Sequence, residues 1–263
     1  MNRLFLALLL CGILPCTALQ QTHAQRYSAP ANMPAEVEQL LAMANQSRSQ
    51  AGARPLRMDA GLNAAALAHC QRMAAEHAIA HRYPDEAALD ERTAAAGAHF
   101  SLIEENVAEG PTASIIHTSW MHSPGHRQNL LNPAVDHVGI AVVAADGMLY
   151  AVADYEHASE AVSSSTAEDK VAGQLERLGV KATAGTTAAR AACRTDHGIP
   201  MQPAAATGST FVMRWESPDL NQLPQQLHQK IEQSRYRRAE VASCPAQQAE
   251  GGFTVYRLAV LLY

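Results

Sequence analysis

Apolar positions recur with a helical period over Glu36 to Ser49, where Val37, Leu40, Leu41 and Ala44 fall on one stripe. The stripe predicts an amphipathic helix, and Ala51-Gly52-Ala53-Arg54-Pro55 predicts its end. Asp59 is placed to cap a second helix that runs to about Ala78, with Leu62, Ala66, His69, Cys70 and Met73 on one face. An Ala-rich third helix is expected over Asp85 to Ala96. A fourth is expected over Thr112 to Met121, ended by Ser123-Pro124-Gly125. Glu104 to Ala108 is a short mixed segment near a strand or loop. Val138 to Ala144 and Met148 to Tyr155 read as two strands, joined by the hairpin signal Ala145-Asp146-Gly147.

The pattern changes after His157. Ser159 to Thr166 is small, polar and turn-rich, and is expected to be a linker, with boundaries near 158–168. Beyond it, Lys170 to Leu178 and Pro224 to Gln233 are expected helices, and Thr210 to Glu216 and Gly252 to Leu262 expected strands. Ala182 to Ala192 has few bulky residues and takes no assignment. Residues 169–263 thus read as a small α+β module, and no internal repeat is legible.

The first 25 residues carry a different order. Asn2-Arg3 is a positive start, Leu4 to Leu14 an apolar run too short to span a bilayer, and Thr22-His23-Ala24 a small-residue cleavage site. That order predicts a secretory signal peptide over 1–24, cut after Ala24, with Ala18 as the rival. Leu10 and Pro15 precede Cys11 and Cys16, where lipid attachment wants a small residue, so a lipid anchor is not expected. No second apolar stretch is long enough for stable membrane insertion.

Removing the signal leaves about 240 residues of ordinary globular composition, 48% apolar and 17% charged. Net charge is −5 and there is no basic block, which argues against a nucleic-acid partner. After export only Cys70, Cys193 and Cys244 remain. In an oxidising compartment Cys193 and Cys244 can form a disulfide, whereas Cys70, on an apolar helix face, reads as a buried free thiol. Nine of the twelve histidines lie between His69 and His157, which says where metal or proton chemistry belongs.

Within that region several segments follow in a set order: Asn45-Gln46-Ser47-Arg48; Asp59-x-x-Leu62-x-x-Ala65-Ala66; the His81 element; Glu105-Asn106-Val107-Ala108; Trp120-Met121-x-Ser123-Pro124-Gly125-His126-Arg127; and Val138-Gly139-Ile140. Together they resemble the bacterial branch of the CAP superfamily, named for cysteine-rich secretory proteins, antigen five and pathogenesis-related proteins. The resemblance covers about residues 36–157. It implies a three-layer α-β-α sandwich whose cleft holds two histidines and two glutamates. The first histidine maps to His81, the first glutamate to Glu105 and the second histidine to His126. The second glutamate's place is Ser123.

Two imidazoles and one carboxylate can hold Zn²⁺ with a position open for water, so His81, His126 and Glu105 are the candidate metal ligands. Asn106, His122 and Ser123 are candidate ligand-cleft residues. Plain structural roles compete: His126 as a turn cap, Glu105 as a partner for backbone groups, Trp120 as core, Arg127 in a local salt bridge. His77 precedes His81 by four, a metal-like spacing that reads as coincidence on an exposed face. Glu104 and Glu105, being adjacent, are expected to point apart.

The expected function is an exported module that binds a divalent metal and a small ligand, peptide or envelope component. The alternatives are a metal-dependent hydrolase with Glu105 as its catalytic residue, and lipid or sterol binding. The sequence contains no His-Glu-x-x-His helix and no Gly-x-Ser-x-Gly elbow.

Overall fold

The computed structural model describes residues 34–195, 211–234, 236–245 and 252–263. The expected signal peptide, with Cys11 and Cys16, lies outside the described residues. Among the described residues no helix is long and apolar enough to cross a membrane.

The first half is a three-layer α-β-α sandwich, as the resemblance implied. Helix α1 (Ala35–Gln50) is followed by β1 (Arg57–Met58) and α2 (Ala60–Glu76). Next come α3 (Leu89–Ala95), β2 (Phe100–Gly110), α4 (Ala113–His122) and α5 (Pro124–Leu131), then the hairpin of β3 (His137–Ala145) and β4 (Met148–Ala158). The strands form one sheet in the order β1-β3-β4-β2, with β1 parallel to β3 and the other pairs antiparallel. One face carries Val138, Ile140, Ala151, Ala153 and Tyr155 against α1, α4 and α5, around the fully buried Trp120. The other carries Val107, Ala141, Tyr150 and Val152 against Ala66, Cys70 and Met73 of α2. Each large apolar side chain so buried contributes roughly 1.5–3 kcal/mol, which sets the sandwich against the entropy of the chain.

Local chemistry explains the helix ends. Asp59 accepts from the Leu62 N–H at 2.8 Å and caps α2. That helix ends at His77 in the left-handed conformation (φ 50°), before the expected Ala78. Gly139 has no side chain because α2 lies on it: a Cβ there would stand 2.2 Å from the Leu62 carbonyl carbon.

Four expectations change. The third helix is shorter than Asp85 to Ala96, beginning only at Leu89. Glu104 to Ala108 lies within an eleven-residue strand. Its polar residues face both ways at a sheet edge, which hid the alternation. Pro124 ends α4 but also begins α5, as its fixed φ allows at a first helical position. The supposed linker is ordered: Ser163 caps α6 (Ser164–Arg177) through the Thr166 N–H, and Ser159 N–H donates to the His99 carbonyl at 2.6 Å.

The second half then proceeds through β5 (Lys181–Ala184), α7 (Thr187–Cys193), β6 (Phe211–Ser217), α8 (Gln225–Gln233), β7 (Arg238–Cys244) and β8 (Tyr256–Leu262). Its sheet order is β5-β7-β8-β6, with β5 parallel to β7 and the remaining pairs antiparallel. This is the order and pairing of the first sheet. Here α6 and α8 cover one face and α7 the other. The module expected as a small α+β unit therefore repeats the topology of the first half. No sequence repeat betrayed it because the pattern survives in strand pairing and not in residue identity. The Cys193–Cys244 disulfide forms, joining α7 to β7.

Candidate functional site

Strand β2 is the edge of the first sheet, and the candidate residues gather around it. Glu105 lies on the α2 face of β2, with its side chain 3% exposed. His81 follows α2 and stands at the mouth, its side chain 61% exposed. Its Nδ1 meets Glu105 Oε1 at 2.8 Å. His126, in the first turn of α5, comes round from the opposite face, and its ring centre lies 6.4 Å from that of His81.

Buried polar residues hold these side chains in place. His69, buried on α2, faces the Ala80 carbonyl with Nε2 at 2.7 Å and Glu86 Oε1 with Nδ1 at 2.6 Å. It thereby fixes the segment that leads into His81. Asn106 is fully buried and points to the other face of β2 from Glu105. Its Nδ2 donates to the His126 carbonyl at 2.9 Å, and its Oδ1 accepts from Asn129 Nδ2 at 3.1 Å. Asn129 Nδ2 also donates to the Glu105 carbonyl at 3.0 Å. Arg48, wholly buried in α1, donates to the carbonyls of Arg54, Leu130, Asn132 and Val135, and so anchors the C-terminal end of α5 and the chain that follows it.

The second oxygen of Glu105 belongs to Arg92 of α3. The Arg92 guanidinium bonds to Glu105 Oε2 and reaches the His81 carbonyl at 3.4 Å. Both carboxylate oxygens are thus engaged. Behind them, Asp154 of β4 pairs in register with Glu105 and is fully buried. Burial, and then the adjacent Glu105 charge, push the Asp154 carboxyl well above the usual carboxylate range. The hydrogen bond to Glu105 raises the His81 pKa. Desolvation, and then the nearness of His81, lower that of His126. The two shifts run in opposite directions, so His81 holds its proton more tightly than His126 does.

Among the described residues, no three His, Cys, Asp or Glu side chains stand together in a metal-holding arrangement. The donor set fits an ion held by two imidazoles, one oriented by a carboxylate, with water or ligand filling the rest. The other candidates have different surroundings. His122 is exposed and its Nδ1 meets the Thr118 carbonyl of its own helix at 2.8 Å. Ser123 is the half-buried residue between α4 and α5, and its side chain makes no cap bond. Asn106 sits beneath the cleft as a strut and not on its wall. Glu104 points away, both oxygens taking Asn132 Nδ2 at 3.1 Å. His77 meets Asp146 Oδ2 at 3.1 Å, apart from His81. Trp120 is core, with its Nε1 donating to the Val107 carbonyl at 3.2 Å.

Arg92, Asp154, His69 and Glu86 are the residues that sequence reasoning missed. His69 alone had a signal, as a histidine on an otherwise apolar helix face.

The topological repeat allows a comparison of the two halves. Pairing Arg57–His137 corresponds to Lys181–Arg238. Carried along the ladders, Asp154 then corresponds to Leu261, and Glu105 to Val212. Val212 and Leu261 pack with Ala189 and Cys193 in an apolar cluster. The second half keeps the frame and replaces the carboxyl pair with hydrocarbon.

Comparison with known proteins agrees with the first half. Residues 41–155 match the model of the CAP, cysteine-rich secretory protein, family. The chain is 31% identical over 117 residues to the uncharacterized protein YkwD of Bacillus subtilis, covering 44% of this chain and 46% of that protein. It thus spans about half the length of that curated relative. An extracellular SCP-domain protein from Bacillus anthracis is similar at 24% identity, with 46% of this chain and 40% of that one covered and a TM-score of 0.43. An outer surface protein from Borrelia burgdorferi is similar at 19% identity, with 48% and 96% covered and a TM-score of 0.45. Residues 41–155, with the edge-strand cleft that they build, are a bacterial CAP superfamily domain.

Proposed function

We propose that this CAP domain is an exported binding module. Its cleft takes a divalent cation, Zn²⁺ first, between His81 and His126, and with it a small ligand, peptide or envelope component. The observation that carries this reading is the pair of imidazoles at one sheet edge, with Glu105 fixing His81 through Nδ1. A hydrogen on Nδ1 leaves Nε2 of His81 as the metal donor. Glu105, with both oxygens engaged, orients His81 and does not itself ligate. Bound Zn²⁺ would supply a Lewis acid and acidify a water molecule. Binding is favoured over hydrolysis because Glu105 has no free oxygen to take that water's proton, and Ser123 adds no carboxylate. The signal-like residues 1–24 and the Cys193–Cys244 disulfide support export.

Zinc analysis and calorimetric titration of the mature protein test this reading. Wild type is expected to bind Zn²⁺, and the double variant His81→Ala, His126→Ala to bind none. Affinity is expected to fall as pH drops through the imidazole range, because His81, whose pKa the Glu105 bond raises, must shed its Nε2 proton to bind. Equal zinc content in variant and wild type would overturn the proposal. Turnover of a general peptide library that depends on Glu105 would replace it with the hydrolase reading.

A further inference from the structure

A short segment of the second half, Gly252 to Thr254, lies against α3 and the start of β2. A side-chain carbon on Gly252 would stand 2.1 Å from the Asp90 carbonyl oxygen and 2.4 Å from Ala94 Cβ, so the backbone there rests directly on α3. Phe253 packs edge-on against Phe100, with ring centres 5.2 Å apart, and joins the cluster of Leu62, Ala98 and Phe100. The Thr254 N–H donates to the Phe100 carbonyl at 2.9 Å. These contacts bear on a helix of seven residues, too short to hold its shape by its own hydrogen bonds. Between Asp90 and Ala94 that helix carries Arg92, the residue bound to Glu105 Oε2.

We infer that the second half clamps α3, holding Arg92 on Glu105 and so withholding that carboxylate from a cation in the cleft. The clamp stands on contacts alone, whereas the withholding rests on the cation reading above. Glu105 is almost wholly enclosed, so solvent screens little of the repulsion between the guanidinium and an incoming cation. Loss of the clamp lets Arg92 swing away, so that a cation can take the place of the proton between His81 Nδ1 and Glu105 and make Glu105 a third ligand. The cleft then changes from a two-imidazole site to a His81, His126, Glu105 site. The second half, which has hydrocarbon where the first has its carboxyl pair, acquires a role in setting the strength of the first half's site.

The test uses the full mature chain with Phe253→Ala, Gly252→Val and Arg92→Gln, read by hydrogen exchange and by titration with Zn²⁺ alone. Both strap variants are expected to speed exchange over residues 89–95 roughly tenfold or more while α1 keeps its protection. Phe253→Ala and Arg92→Gln are each expected to tighten Zn²⁺ binding roughly tenfold, with the double variant no tighter than Arg92→Gln alone. Unchanged exchange over 89–95 in both strap variants overturns the clamp. A loosened α3 with unchanged zinc affinity overturns the withholding, as does an Arg92→Gln variant that binds zinc like wild type. If no variant binds zinc, the cation reading falls, and the withholding with it. The clamp is then decided by stability: less-than-additive losses from Phe253→Ala and Arg92→Gln support it, and additive losses overturn it.

Discussion

Asp154 stands directly opposite Glu105 across β4 and β2, fully buried, and no N–H of a described residue is aimed at either of its oxygens. Two carboxyls so placed cannot both ionise cheaply. Burial, and then the Glu105 charge, raise the Asp154 carboxyl well above the usual carboxylate range, while Arg92 bonds to Glu105. The cleft therefore rests on a carboxyl that destabilises the fold once pH exceeds its unfolded pKa.

Asp154→Asn keeps the shape and removes the ionisable group. The folded Asp154 pKa is raised above 3.8, so its stability cost grows as pH climbs from that value. The variant is expected to gain about 1–3 kcal/mol at pH 7 and almost nothing near pH 4, read by denaturant unfolding at both values.

Glu156, 1% exposed, is raised to about 8 by desolvation and then by the charges of Asp59 and Asp136. Below its unfolded pKa of 4.5 the group is neutral in both states and has no pH effect. Between that value and about 8 the unfolded chain ionises while the folded one resists, so stability declines with rising pH. Glu156→Gln is expected to flatten this decline, with a gain on the order of 3 kcal/mol at pH 8, read as the thermal midpoint from pH 4 to 9.

The disulfide closes a loop of 51 residues in sequence and pins α7 to the second sheet. Replacing both Cys193 and Cys244 with Ala is expected to cost about 2–4 kcal/mol. Unfolding in urea, monitored by Trp215 fluorescence for the second half, reads the loss.

Cys70 is wholly buried on the sheet-facing side of α2, with its Sγ donating to the Tyr150 carbonyl at 3.0 Å. Burial pushes the thiol up to about 12. It is expected to resist a thiol reagent at pH 8 in the folded protein and to react at once in denaturant. A folded protein that reacts within seconds would contradict this packing.

Much of the first half was legible in the chain. Helical spacing gave α1 and α2, Asp59 announced its cap, and Asp146-Gly147 marked the hairpin, because these depend on residues close in sequence. The ordered motifs named His81, Glu105 and His126, which do meet or approach one another at the β2 edge. What surrounds Glu105 was not legible. Arg92 and Asp154 reach it from a short helix and from a strand across the sheet, and nothing local marks either one. Only the register of β2 on β4 puts Asp154 opposite Glu105, and α3, against which Gly252 packs, carries Arg92 to the same carboxylate. The repeat in the second half was hidden for the same reason: strand order is a non-local property, and Val212 and Leu261 erased the chemical signature that would have betrayed it. The sequence determined which groups could do chemistry and where helices begin and end. The tertiary structure decided which groups touch, and hence that Glu105 holds His81 and does not stand free.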